Sequence, residues 1–444
     1  MIDLLIELSK YVFIILMGLY TYYCFRVVTK KNEDVKNLIY VKQKTTMFVI
    51  HFLANLIIYL KTGDPGIIIF YLAQMAFFIA LPLLYNVIYP KSSKLLINNM
   101  CMLLMIGFIM LTRLAFTKAV RQFEIAVISA IVALFIPYFI KKLTFLRDLT
   151  WFYAGAGIIL LAIVFIIGQV TYGAKLSFEI AGIGIQPSEF VKIIYVFFIA
   201  SMLSKAKDLY QIVQTSIFAA IHVIILVISK DLGSALIFFI AYLFMLFIAT
   251  HNVLYLGSGF LAGSVAAIAA YYLFHHVRVR VLAFTDPFSV IDNEGYQVTQ
   301  SLFAIGTGGW FGMGLYQGYP KLIPVVEEDF IFSAISEEFG ILFALCVILV
   351  YLSCFIMFIN IAMQIKDDFF CLCATGLACI LGFQTFLTIG GAVKFIPSTG
   401  VTLPLISYGG SSCFSTLIIF AIIQGIYIYQ KQKPHKKRKK EASY

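Results

Sequence analysis

LGSALIFFIAYLFMLFIATHNVLYLGSGFLAGSVAAIAAYYLF (232–274) runs without an Asp, Glu, Lys or Arg. Water is absent from a bilayer core, so an apolar run of this length satisfies its backbone there only as helix, here two spans at 232–249 and 253–274. The rest of the chain reads the same way. Of its 444 residues 61% are hydrophobic and 12% charged, and the mean hydropathy is +0.96, far from the profile of a soluble domain. Further spans are expected at 4–28, 47–60, 67–89, 95–111, 123–140, 151–170, 190–204, 212–228, 330–361, 369–389 and 403–429. The expectation is an all-α polytopic membrane protein of about thirteen spans, with 47–60 short enough to lie at an interface.

Lysine and arginine set the orientation. Lys30, Lys31, Lys36, Lys42 and Lys44 follow the first span, Lys91 and Lys94 the third, Lys141, Lys142 and Arg147 the fifth, and Lys205 and Lys207 the seventh. With thirteen spans these share a face with the tail KQKPHKKRKK from Lys431, which makes the tail cytoplasmic and the N-terminus external. Arg113, Lys118 and Arg121 fall on the opposite face and break the pattern. The net charge of +11 then reflects topology and attraction to anionic lipid, and a nucleic-acid role is set aside. The eight cysteines lie mostly inside spans and read as small apolar residues. No cleavable signal is apparent in the first run.

One external loop is long, residues 275–329, rich in aromatics and glycines, with QVTQSLFAIG spaced as a short amphipathic helix. The three spans before residue 92 contain none of the motifs below. The division expected is an accessory N-terminal bundle (1–91), a ten-helix core (92–430) carrying loop 275–329, and a basic tail (431–444).

Chemistry concentrates in IPVVEEDFIFSAISEEFG (323–340). Asp329 stands at the opening of a span, as helix cap or as functional acid in equal measure. Asp329, Ser333, Ser336 and Gly340 share one helical stripe, which suggests a wet groove leading inward. Glu337 and Glu338 lie deeper and require partners, with Lys192 one candidate. Arg278, Arg280, Lys321 and Lys394 gather on the same outer face, a pattern suited to an anionic, phosphate-bearing lipid. Gln186, Pro187, Ser188 and Glu189 open one helix, Asp231 is placed to cap another, and Pro404, Gly409, Gly410, Ser411 and Ser412 interrupt the last span.

Six segments in order resemble the SEDS family (shape, elongation, division and sporulation) of FtsW, RodA and SpoVE. They are GIQPSEFVK (184–192), KDLGSA (230–235), RVRVLAFTDPF (278–288), GYQVTQSLFAIGTGGWFGMGL (295–315), DFIFSAISEEFG (329–340) and FIPSTGVTLPLISYGGSS (395–412). The resemblance implies ten transmembrane helices with an extracellular loop between the seventh and eighth. It implies polymerisation of lipid II, a disaccharide-pentapeptide on undecaprenyl pyrophosphate, into peptidoglycan during division, elongation or sporulation. The family's essential acid maps onto Asp329, and the usual partner is a class B penicillin-binding protein. Departures are Ser229-Lys230-Asp231 for a common Gln-Pro-Asp, GAKLSF (173–178) without a frequent Trp, Thr388 for Asn, and Pro324-Val325 for Pro-Glu.

On this reading Asp329 is the general base of an inverting glycosyl transfer. Arg278, Arg280, Lys321 and Lys394, with Ser407, Ser411 and Ser412, are the expected substrate-binding residues. Glu327 and Glu328 tune Asp329 or join it in holding a divalent cation, the one cofactor these carboxylates suggest. Glu337, Glu338, Gln186, Pro187, Ser188, Glu189, Lys192 and Asp231 take structural roles. Two other readings fit the intramembrane charges and extra spans: a flippase for the lipid-linked precursor, and a non-catalytic scaffold of a cell-wall synthase.

Overall fold

The apolar runs fold as helices whose ends follow local capping chemistry. In this computed structural model the described residues are 2–142, 144–171, 174–180, 183–206 and 208–441; the side chains of 2, 141–144, 167, 169–183 and 433–441 also lie outside the description. GAKLSF and the basic tail therefore fall largely outside it. Asn32 caps α2 (Glu33–Thr62) by accepting the Asp34 amide. Gly63 ends that helix in the left-handed region at φ 66°, and Asp64 caps α3 (Pro65–Ile88), with Pro65 in its first turn.

Each of the thirteen expected spans overlaps a helix. The others are α1 (Ile2–Thr29), α4 (Lys94–Leu114), α5 (Phe116–Lys142), α6 (Thr150–Ile167), α7 (Pro187–Leu203), α8 (Leu209–Ile228), α9 (Leu232–Thr250), α10 (Val253–Leu273), α14 (Ile341–Gln364), α15 (Asp368–Ala392) and α16 (Gly410–Glu441). Among the described residues, 11 helices are long and apolar enough to cross a membrane; α6 and α7 are shorter. The segment expected to be short is instead the 30-residue α2, so Lys36, Lys42 and Lys44 lie on a helix and not in a loop. Loop 275–329 holds α11 (His275–Thr285) and α12 (Tyr296–Gly308), the second where an amphipathic helix was expected. Three short antiparallel strands, β1 (Gln169–Thr171), β2 (Ala174–Ile180) and β3 (Ile183–Ile185), join α6 to α7 and were not foreseen.

Two expected spans begin later than the hydropathy suggests. Residues 330–361 break at Gly340 (φ 87°) into a short α13 (Ile331–Phe339) and the spanning α14. Segment 403–409 forms turns, and α16 starts at Gly410.

The chain forms two compact units. The first comprises Met1–Ile128, His276–Cys354 and Thr385–Gly409. Helix-to-helix association in lipid gains little from apolar burial, so close approach and polar pairing must hold the helices together. At the centre of this unit lies α4, buried along almost its full length. Gly107 lets the turn at Leu405–Ile406 sit against it: an added Cβ would come 2.8 Å from the Ile406 carbonyl. Asn99 accepts from Tyr20 (3.1 Å) and donates to Ser353 (3.2 Å), tying α1, α4 and α14. Phe13 on α1 meets Phe339 edge-on at 5.2 Å.

The second unit comprises Ser129–His275, Phe355–Gln384 and Gly410–Tyr444. Here α7 packs on α6, α8, α9 and α16. Gly376 gives Val196 and Met245 room, and Gly425 admits Pro137 and Ile140. Along α10 no residue is buried, and its contact is with α9, where Gly263 faces the Phe239 ring.

Candidate active site

The turn that carries Asp329 is fixed from both sides before its side chain is considered. Val326 and Phe330 anchor it in the core of the first unit, at 3% and 2% exposure. Between them the Glu327 carbonyl accepts the Tyr408 amide at 2.7 Å, and the Glu328 carbonyl accepts the Ser407 hydroxyl. Ser407 also accepts the Leu403 amide at 2.9 Å and is buried, so its hydroxyl braces two backbones. Val325 takes φ 55°, a costly conformation for a β-branched residue, on the approach to the three acids.

Asp329 does not cap α13; Phe330 holds the cap position without a side-chain bond. The Asp329 carboxylate is half-buried, and among the described residues it makes no hydrogen bond or ion pair. It faces Gly400, where an added Cβ would lie 3.6 Å from Asp329 Oδ2 and 3.4 Å from Arg280 Nη2. Arg280, on α11, is steadied by a 3.3 Å bond from Nη1 to the Ser398 carbonyl. Withdrawal from water and the neighbouring Glu328 charge raise the Asp329 carboxyl to about 6, against the opposing pull of Arg280. At neutral pH such a group is mostly ionised, by about ten to one, yet far more basic than an ordinary aspartate.

The flanking acids differ. Burial works against the charged form of Glu327, but its hydrogen bond to Lys118 and the charges of Lys118 and Lys321 hold its carboxyl below the ordinary value. Burial raises Glu328, with Lys118 Nζ at 3.7 Å opposing. Two of the three carboxylates thus face Lys118. Among the described residues no three His, Cys, Asp or Glu side chains are grouped to hold a metal ion.

The stripe expected to line a wet groove is buried. Ser333 bonds Ser301 at 2.6 Å, Ser336 donates to the Phe332 carbonyl at 2.9 Å, and every residue of α13 is buried. At its end the carbonyls of Glu337 and Glu338 accept the Met313 and Gly314 amides (2.8 and 2.9 Å), with Gly312 and Gly314 at positive φ. Glu338 pairs with Arg113 at 2.9 Å, and Glu337 accepts the Tyr319 amide at 2.9 Å. Their partners come from the end of α4 and from the loop. Lys192 is engaged elsewhere.

Of the basic residues singled out, Arg280 lies beside Asp329 and Lys321 acts on Glu327. Arg278 and Lys321 are exposed, and Lys394 is half-buried at φ 54° after α15. The remaining candidates belong to the second unit, where Pro187, Ser188, Glu189, Lys192, Asp231 and Ser412 are buried and Gln186 and Ser411 half-buried. Lys192 donates to Glu189 (2.5 Å) and Gln384 (2.9 Å), and Ser415 donates to Glu189 (2.7 Å). Ser188 donates to Asp231 at 3.0 Å, and Asp231 caps α9 through the Ser234 amide. Pro187 opens α7, the Gln186 amide bonds Ser411 Oγ at 3.0 Å, and Ser412 is buried near Gln384. Lys118, Gln122, Tyr408 and Gly400 were not singled out in the sequence, although Lys118 stood out there as a charge on the unexpected face.

These features define a multi-pass membrane protein with a half-buried acidic turn in its first unit. The chain belongs to the FtsW/RodA/SpoVE cell cycle protein family, whose model matches residues 94–432. That range holds α4 to α10 and α14 to α16, the ten-helix core, and leaves α1 to α3 preceding it. The chain is 34% identical over 270 residues to the peptidoglycan glycosyltransferase RodA of Mycobacterium tuberculosis H37Rv, a match covering 57% of this chain and 58% of that one. It is 32% identical over 289 residues to the probable peptidoglycan glycosyltransferase FtsW of Geobacter metallireducens, covering 62% and 76%. The chain thus spans less than two thirds of the length of its mycobacterial relatives. In fold it is similar to a chain of a peptidoglycan synthase complex (TM-score 0.65, 24% identity, 77% and 99% covered). It is also similar to the Thermus thermophilus rod shape determining protein RodA (TM-score 0.56, 22% identity, 76% and 96% covered). It is a multi-pass bacterial membrane protein.

Proposed function

We propose that this protein is a peptidoglycan glycosyltransferase that polymerises lipid II at the outer face of the cytoplasmic membrane, with its C-terminal tail cytoplasmic. The observation that carries the reading is Asp329: a half-buried carboxylate without a hydrogen-bonding partner among the described residues, its carboxyl raised to about 6, beside the cation of Arg280. Family membership and the glycosyltransferase relatives support the same chemistry.

Asp329 accepts the proton of the acceptor sugar hydroxyl as that oxygen attacks the anomeric carbon of the donor. The bond from that carbon to the pyrophosphate oxygen breaks, and its electron pair leaves on undecaprenyl pyrophosphate. Inversion follows from attack opposite the leaving group. Arg280 and Lys321 supply positive charge at the end of the molecule where the pyrophosphate charge develops. Two lipid-anchored substrates held at one depth need little further orientation. The helices before residue 92 form an accessory bundle on this core, and the crosslinking partner is a class B penicillin-binding protein.

Incubating the purified protein with lipid II tests the reading. Glycan chains resolved on a gel support it; movement of lipid II across vesicles without polymer would replace it with a flippase.

A further inference from the structure

A lysine in the first turn of α5 has no part in the transfer step and yet meets both acids that precede Asp329. Lys118 Nζ contacts Glu327 Oε1, lies 3.7 Å from Glu328 Oε1 and stands 5.1 Å from the centre of the Tyr408 ring. One turn further on, Gln122 is 1% exposed; it donates to the Ser407 carbonyl (3.3 Å) and accepts the Gly409 amide (3.2 Å). The circuit closes through the backbone, since Tyr408 donates to the Glu327 carbonyl and Ser407 to that of Glu328. Three segments remote in sequence are thereby tied together: the start of α5, the acidic turn, and the turn before α16.

An isolated ion pair with both ends partly exposed holds little in place. Here the pair is one corner of a frame whose other corners are hydrogen bonds at two successive carbonyls. Asp329 is the next residue along, so a displacement of Glu327 and Glu328 moves its carboxylate away from Arg280. Because both carboxylates occupy Lys118, its ammonium is a poor candidate for a second ligand of the substrate's phosphates.

We infer that Lys118 is a positioning residue, which through Glu327 and Glu328 holds the turn that presents Asp329 to the acceptor. This inference rests on the glycosyltransferase reading, and the test separates the two. Polymer formation from lipid II by the full-length protein is compared for wild type, Lys118→Met, Lys118→Arg and the exchanged pair Lys118→Glu with Glu327→Lys. Misplacement by about 1 Å lowers rates by up to about 100-fold, so Lys118→Met is expected to lose about 10- to 100-fold in kcat with KM nearly unchanged. Lys118→Arg should recover most of that loss and the exchanged pair part of it. A wild-type rate in Lys118→Met, or a loss confined to KM, overturns the inference. Thermal unfolding of the single and paired variants needs no substrate. Non-additive shifts in Tm support the frame even where no variant polymerises lipid II, a result that removes the functional reading alone; additive shifts overturn the frame.

Discussion

Arg113, at the last turn of α4, forms an ion pair with Glu338 of α13, Nε to Oε1 at 2.9 Å, with the glutamate side chain wholly buried. The guanidinium also donates to the Gly318 carbonyl at 3.2 Å and lies 3.9 Å from the Tyr316 ring. Removing one member of such a pair strands the other charge, at a cost of about 3–5 kcal/mol. Arg113→Ala is therefore expected to lower stability by that order, read as a large fall in Tm in detergent. Replacing both members with apolar residues of similar volume should recover much of the loss.

Gly400 faces Asp329 and Arg280 at φ 71°, in the left-handed region where a side chain costs about 1–2 kcal/mol. Gly400→Ala places a methyl within 3.6 Å of both groups. The expected outcome is a protein that stays folded in detergent with polymerisation reduced severalfold, checked by Tm and rate on the same sample.

Much of this was legible in the sequence, for physical reasons that also mark where legibility ends. Each span shows as an apolar run because lipid leaves the backbone no alternative. The break at Gly340 does not show. ISEEFGILF (335–343) has apolar residues on both sides, and one glycine reads as a helix defect of about 1 kcal/mol until loop 309–314 is seen pairing with the carbonyls of α13. The acidic turn stands out because clustered carboxylates beside an apolar run need a reason. Its partner Lys118 does not, lying 209 residues from Glu327 and registering only as a charge on the unexpected face. Arg113 was hidden in the same way; each of these cations sits there because an acid of the first unit meets it.

Lys192 is 3% exposed and bonded to Glu189 and Gln384. Lys192→Met leaves Glu189 with the Ser415 hydroxyl alone of these partners, so a loss of roughly 3 kcal/mol or more is expected, seen as a lowered Tm. Lys192→Met combined with Glu189→Gln should be less damaging than Lys192→Met alone, because no buried charge then remains unpaired.

The neighbours of Asp329 set the direction of its pH response. Arg280 favours the ionised form, so Arg280→Met should move the acid limb of the rate to higher pH. Glu328 disfavours it, and Glu328→Gln should move the limb to lower pH. Rates of polymer formation between pH 4.5 and 8 check both shifts.

The central claim is that Asp329 accepts the proton. The most direct measurement is the rate of lipid II polymerisation against pH for wild type and Asp329→Asn. Wild type should rise with pH through a midpoint near 6, the carboxylate being the active form, and Asp329→Asn should lose activity at every pH while keeping its Tm. An Asp329→Asn protein that polymerises lipid II at the wild-type rate, with the same acid limb, would contradict the account.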